Sequence, residues 1–291
     1  MKQRTIATPV TWTGIGVHFG RNVTMTALPA TADQGVCFVR TDLLNGARVF
    51  PVRHDRVIST DHSTTLGNGS DATLSTVEHF MASLAFTGID NLTVEIDGAE
   101  VPLMDGSSLE FVRGIEAAGA REQEAPRNYI RILKEVEVRR RDGWARLAPL
   151  DGRSVSCTID FPDPAIGYQE AAITLDGNSA RSPVVAARTF ATMDDIRQLR
   201  ERGLAQLEAD DVGDLECVVV VDGGRILNRS GLRSATECAE HKVLDAVGDM
   251  ALAPAPILGA FEGYRSGHAL NVELLTTLFA DRAAWERTLE G

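Results

Sequence analysis

Two short stretches of this 291-residue chain hold the side chains best suited to chemistry. In Cys238-Ala-Glu-His-Lys-Val-Leu-Asp-Ala-Val-Gly-Asp249, His241 and Asp245 stand four residues apart. On a helix that spacing aims both side chains at one place, as two ligands of one metal require. The other stretch, Leu74-Ser-Thr-Val-Glu-His79, offers a second histidine beside a carboxylate. His79, His241 and Asp245 together supply three protein ligands and leave a fourth position open, the arrangement of catalytic zinc, whereas structural zinc is normally closed by protein on all sides. The same ligands suit Fe2+. Zinc lowers the pKa of water at an open position to about 7, and Glu78 is then the base that activates that water.

Hydrolysis of an amide also needs an acid, because an amine anion is too basic to leave unprotonated. His268, in the glycine-bearing turn Tyr264-Arg-Ser-Gly-His-Ala-Leu-Asn271, is the candidate, with Asp249 as a carboxylate that favours its imidazolium form. Lys242 would add positive charge beside a developing oxyanion. Each residue also has a plainer reading. Ser75-x-x-Glu78 is a capping box, His241 and Asp245 make an ordinary helix pair, His268 is a solvated loop histidine and Lys242 a solvated helix lysine.

The elements that must position these groups read as α+β. Short strand-like runs at 23–27 and 92–96 flank a helix over 75–86, whose Val77, Phe80, Met81, Leu84 and Ala85 form one apolar stripe with Glu78 and His79 at its edge. The polar, proline-containing stretch 119–128 reads as a linker. Strand patterns begin again at 130–132, 136–138, 145–150 and 154–161, and a second long helix starts near Ser234. Between them, 193–207 reads as an amphipathic helix in an insertion and 217–221 as a buried strand. Both long helices carry a Glu-His pair in their first turns, so a duplicated fold is expected, with domains over 1–124 and 125–291.

Composition excludes several classes. Hydrophobic residues at 44% and charged residues at 24% describe a folded globular protein. A net charge of −12 without a basic run argues against nucleic acid as a partner. The start, Met1-Lys-Gln-Arg-Thr5, lacks an apolar signal core, and no stretch approaches the ~20 apolar residues of a membrane span, so a cytoplasmic location is expected. Four scattered cysteines suggest reduced, structural thiols.

A family resemblance joins these segments. Leu74-Ser-Thr-Val-Glu-His79, Val101-Pro-Leu-Met-Asp-Gly-Ser107, Ala187-Arg-Thr-Phe190, His241-Lys-Val-Leu-Asp245 and Ser266-Gly-His-Ala-Leu-Asn271 resemble, in order, the signature segments of the UDP-3-O-acyl-N-acetylglucosamine deacetylases. With Gln3-Arg-Thr5 and Gly14-Ile-Gly-Val-His18, the likeness spans essentially the whole chain. It implies two similar domains, each a helix layer packed on a β-sheet, with insertions at about 40–70 and about 165–210 flanking an interdomain active site. By that resemblance the metal is Zn2+ on His79, His241 and Asp245, the base is Glu78, and the acid is His268 oriented by Asp249. Thr189 and Lys242 would stabilise the oxyanion. Phe190, Met193, Ile196 and Leu204 would line an acyl passage, Arg265 would meet the nucleotide phosphate, and His18 would lie near the site. The implied partner is an acylated nucleotide-sugar substrate, handled by a monomer in the committed step of lipid A synthesis.

Three positions depart from the family's pattern: the acidic stretch 206–213, Glu240 before the ligand histidine, and Ser63 in place of a cysteine. They keep two alternatives open, a paralogue that deacetylates a different acylated amino sugar and a non-catalytic metal-binding relative.

Overall fold

The computed structural model describes residues 1–44, 48–203 and 216–289. The chain opens with β1 (Lys2–Ile6), β2 (Val10–Ile15), β3 (Asn22–Pro29), β4 (Val36–Arg40) and β5 (Val49–Pro51). A small three-stranded sheet follows, made of β6 (Val57–Ser59), β7 (Thr65–Gly67) and β8 (Thr73–Leu74). It leads into α1 (Glu78–Thr87), β9 (Leu92–Ile96), α2 (Leu109–Ala118) and β10 (Ala120–Pro126). Next come β11 (Tyr129–Ile132), β12 (Val136–Arg140), β13 (Gly143–Ala148), β14 (Arg153–Asp160) and β15 (Tyr168–Thr174). An insertion then carries β16 (Phe190–Thr192), α3 (Met193–Glu201), β17 (Val219–Asp222) and β18 (Arg225–Ile226). The remainder is α4 (Glu237–Met250), β19 (Ile257–Tyr264), α5 (His268–Ala280) and β20 (Trp285–Thr288).

The same topology is built twice. One sheet runs β2-β3-β9-β4-β5 and the other contains β12-β13-β19-β14-β15, and in each the only parallel pair among these five is the third with the fourth in that order. In both, an insertion precedes the helix that enters the last strand, α1 before β9 and α4 before β19, and a further helix follows it. The fold is therefore α+β with two similar halves, each a sheet with helices on one face.

Alternation sets which face is buried. In β14, Val155, Cys157 and Ile159 point inward while their neighbours are half-exposed, the period-two pattern of a sheet covered on one side. Helix α1 differs from its expected single stripe, because almost all of it is buried, including Glu78 and His79. The cause is packing on two sides. Phe80 meets Trp12, Phe38 and Phe111 edge-on at 5.4–5.9 Å between ring centroids, and α4 covers the opposite face.

Several boundaries move. Helix α1 begins at Glu78 rather than position 75, and α4 at Glu237 rather than near Ser234. The buried strand expected over 217–221 starts at Val219. Helix α3 is seen as Met193–Glu201, while Leu204 and the acidic stretch 206–213 lie outside the described residues. The segment 119–128, read as a linker, instead contains strand β10, paired antiparallel with β1. Its side chains are mostly exposed, so backbone hydrogen bonds select the strand and no apolar period reveals it.

Candidate metal centre and catalytic site

Helix α1 contributes His79, and one face of α4 contributes His241 and Asp245. Their ligand atoms all lie within 4.8 Å of one another, and all three residues are buried. Oδ1 of Asp245 is 3.5 Å from Nε2 of His79 and 3.3 Å from Nε2 of His241. The two imidazole rings stand nearly perpendicular, with centroids 5.0 Å apart. A carbonyl can only accept, so the 3.0 Å contact with Ala187 O makes Nδ1 of His241 the donor and leaves the Nε2 lone pair facing Asp245. Burial pushes the His241 pKa down to about 4, which keeps the ring neutral, as a ligand must be.

These donors fit a divalent cation. Oδ1 of Asp245, the oxygen that faces both Nε2 atoms, is buried without a hydrogen-bond partner, a costly state for a carboxylate oxygen. Burial would raise the Asp245 pKa, but the neighbouring His241 ring and the Lys242 ammonium hold it well below the usual carboxylate range. An ion shared by the carboxylate and two imidazoles satisfies all three at once.

Glu78 does not cap its helix. The helix has no side-chain cap, Ser75 Oγ instead accepts from Thr65 Oγ1, and Oε2 of Glu78 accepts the Thr64 amide at 3.1 Å. Thr76, two residues earlier, has a φ of 61°, a left-handed conformation that is uncommon for a β-branched residue. Its hydroxyl donates to Glu100 at 3.1 Å, and Glu100 also binds His18 Nδ1 at 2.7 Å. That anchored turn carries the chain inward, so Glu78 faces the ligands rather than the helix end. Burial raises its pKa, with Asp245 and Asp249 acting in the same sense.

Opposite Glu78, Nε2 of His268 lies 3.8 Å from Oε1. Nδ1 of His268 bonds to Asp249 at 2.8 Å, and Asp249 is itself held by Thr64 Oγ1 at 2.7 Å and Asn271 Nδ2 at 2.9 Å. Burial works against the imidazolium, yet Asp249, Glu78 and Asp245 outweigh it and lift the pKa to about 10. Thr64 and Asn271 were not singled out from sequence, although Asn271 belongs to the quoted His268 motif. Lys242 is engaged with Asp245 at 2.7 Å and sits 5.7 Å from the Phe190 ring centre, and that carboxylate raises its pKa despite burial.

Glu78, His79, His241, Lys242, Asp245 and His268 open on a cavity of about 260 Å³, while Asp249, Thr64 and Asn271 stand behind its lining. Thr189, Phe190, Ile196 and His18 also line it, so one wall is apolar. Met193 packs behind that wall in the cluster of Ile196, Leu103 and Val218. Arg265 is not a lining residue and pairs with Asp142 on the surface. Glu240 turns back to Ser234 at 2.6 Å and Thr236 at 3.3 Å, so its charge serves the start of α4.

The profile of the UDP-3-O-acyl N-acetylglycosamine deacetylase family matches residues 3–280. The chain belongs to that family. Proteins named UDP-3-O-acyl-N-acetylglucosamine deacetylase resemble it over nearly full length. The one from Phenylobacterium zucineum is 43% identical, covering 98% of this chain and 96% of its own. The Thioalkalivibrio sulfidiphilus protein is 46% identical over 98% and 92%, and the Anaeromyxobacter protein 45% over 96% and 89%. For this deacetylase-family member the matched range spans both insertions and the stretch from His18 to Asn271 that holds the candidate residues. Among the described residues no helix is long and apolar enough to cross a membrane.

Proposed function

We propose that this chain is a Zn2+-dependent hydrolase that removes the N-acetyl group of UDP-3-O-acyl-N-acetylglucosamine, giving acetate and a free amine. On this reading it performs the committed step of lipid A synthesis as a cytoplasmic monomer. The observation that carries the reading is the convergence of His79, His241 and Asp245 beside the facing Glu78 and His268 in the lining of one partly apolar cavity. The names of the relatives supply the substrate.

His79, His241 and Asp245 would hold the ion, with Fe2+ as the other cation suited to these donors. Bound there, it supplies Lewis acidity, polarising the amide carbonyl and making water a better acid. Glu78 takes a proton from the water that attacks the acetyl carbon. His268 holds its other proton at Nε2, because Nδ1 is committed to Asp249, and passes it to the amide nitrogen as the C–N bond breaks. Lys242 and Thr189 face the carbonyl oxygen as charge builds on it.

The wall made by Phe190 and Ile196, backed by Met193, takes the acyl chain. Arg265 meets the nucleotide phosphate by exchanging Asp142 for it, a small cost for a solvated pair. Glu240 points away from the cavity, which removes one reason to favour a different amino-sugar substrate. The test is a deacetylation assay with metal analysis on native, chelated and zinc-restored protein; turnover that survives complete metal removal would overturn the reading.

A further inference from the structure

A second cavity, of about 420 Å³, shares none of its lining residues with the one beside the metal ligands. It lies between the two halves, where Met81 and Leu84 of α1 and Val247 and Met250 of α4 form an apolar wall. Arg127 and Arg153 also line it. Arg127 is engaged: its Nε donates to Asp90 at 2.8 Å, and the other Asp90 oxygen accepts the Arg4 amide at 2.9 Å.

Arg153, the first residue of β14, is not. Its Nε is buried without a hydrogen-bond partner, and among the described residues its guanidinium makes no ion pair. Burial, together with the like charge of Arg127, brings its pKa down to about 10. A buried donor without an acceptor is expensive to keep, and Asp90, the carboxylate whose charge Arg153 feels, is already held by Arg127 and the Arg4 amide. In a chain of net charge −12, which repels anions in general, a spare guanidinium inside a concave, partly apolar space is suited to an anion that also has an apolar part.

We propose that this cavity binds a small organic anion, a carboxylate or phosphate on a compact apolar body, with the headgroup on Arg153 and the body against Met81, Leu84 and Val247. The full-length, metal-loaded protein is titrated calorimetrically with octanoate, acetate and octanol as probes. Octanoate is expected to bind here at least about ten-fold more tightly than either control, since a hydrogen bond to a charged group and burial of the chain each contribute on that scale. Arg153→Gln removes this equivalent of octanoate while deacetylation is unchanged. Ile196→Trp, which fills the cavity beside the metal ligands, leaves it in place.

Equal octanoate binding by wild type and Arg153→Gln, or its loss in Ile196→Trp instead, would overturn the proposal, as would acetate binding as tightly as octanoate. Thermal melting separates ligand binding from folding. Because the buried Nε of Arg153 has no hydrogen bond to lose, the Arg153→Gln melting temperature stays the same or rises, whereas a clear fall would make Arg153 a structural residue and sink the idea.

Discussion

Gly248 of α4 lies so close to Glu78 of α1 that a Cβ at position 248 would overlap the Glu78 carbonyl oxygen. This contact sets the separation of the two helices at the level where their functional side chains meet. Glu78 and His79 project from one helix and Asp245 and Asp249 from the other, so the spacing of the proposed site is a property of one missing methyl group.

Gly248→Ala should therefore push the helices apart. Overpacking of this kind costs about 1–3 kcal/mol, read as a lower urea midpoint at unchanged m-value. Because Glu78 and His79 move relative to Asp245, kcat should fall by more than the stability loss explains. A variant with wild-type kcat and midpoint would show that the interface has slack.

Chelation should cost stability as well as turnover. A ligand bound only by the folded state stabilises it by about 2.7 kcal/mol at a hundred times its Kd. The melting temperature should drop on metal removal and recover with Zn2+, and His79→Ala should abolish that response. A melting temperature indifferent to chelator in the wild type would mean that the three donors do not hold an ion in solution.

The pH profile should be bell-shaped. Glu78 works as a base only when deprotonated, and burial raises its pKa, so the acidic limb should lie above the ordinary glutamate range. His268 works as an acid only when protonated, and its pKa of about 10 places the alkaline limb high. A bound dication draws both limbs down without changing their order. Asp249→Asn removes the main support of the imidazolium and should shift the alkaline limb to lower pH; a limb that stays put would exclude His268 as its source.

Arg188 and Glu237 form a wholly buried pair, with Nε and Nη2 donating to the two carboxylate oxygens at 2.8 and 3.1 Å. The pair ties the Ala187–Thr189 segment to the first turn of α4, and Ala187 is the acceptor that orients His241. Arg188→Met leaves Glu237 a buried carboxylate with no counter-ion, held only by the Arg188 and Arg233 amides, and should cost about 3–5 kcal/mol in chemical denaturation. A loss below about 1 kcal/mol, the range of exposed pairs, would mean that the carboxylate finds another partner.

What was legible from sequence was local. The His241–Asp245 spacing, the adjacency of Glu78 and His79, the alternation in 154–161 and the recurrence of a Glu-His pair each depend on residues a few positions apart, so helix and strand geometry suffices to read them. The approach of His79 to His241 depends instead on α1 and α4 packing at Gly248, and the inward turn of Glu78 on the hydroxyl of Thr76 reaching Glu100. Strand β10 exists because β1 supplies its hydrogen bonds, and Glu240 and Arg265 turn from the cavity because Ser234 and Asp142 stand beside them. Arg153 had no motif around it, and its isolation is visible only once both halves enclose it. Each of these outcomes depends on a partner distant in sequence or on how the chain turns beside it, and no periodicity in a single chain encodes which distant groups meet.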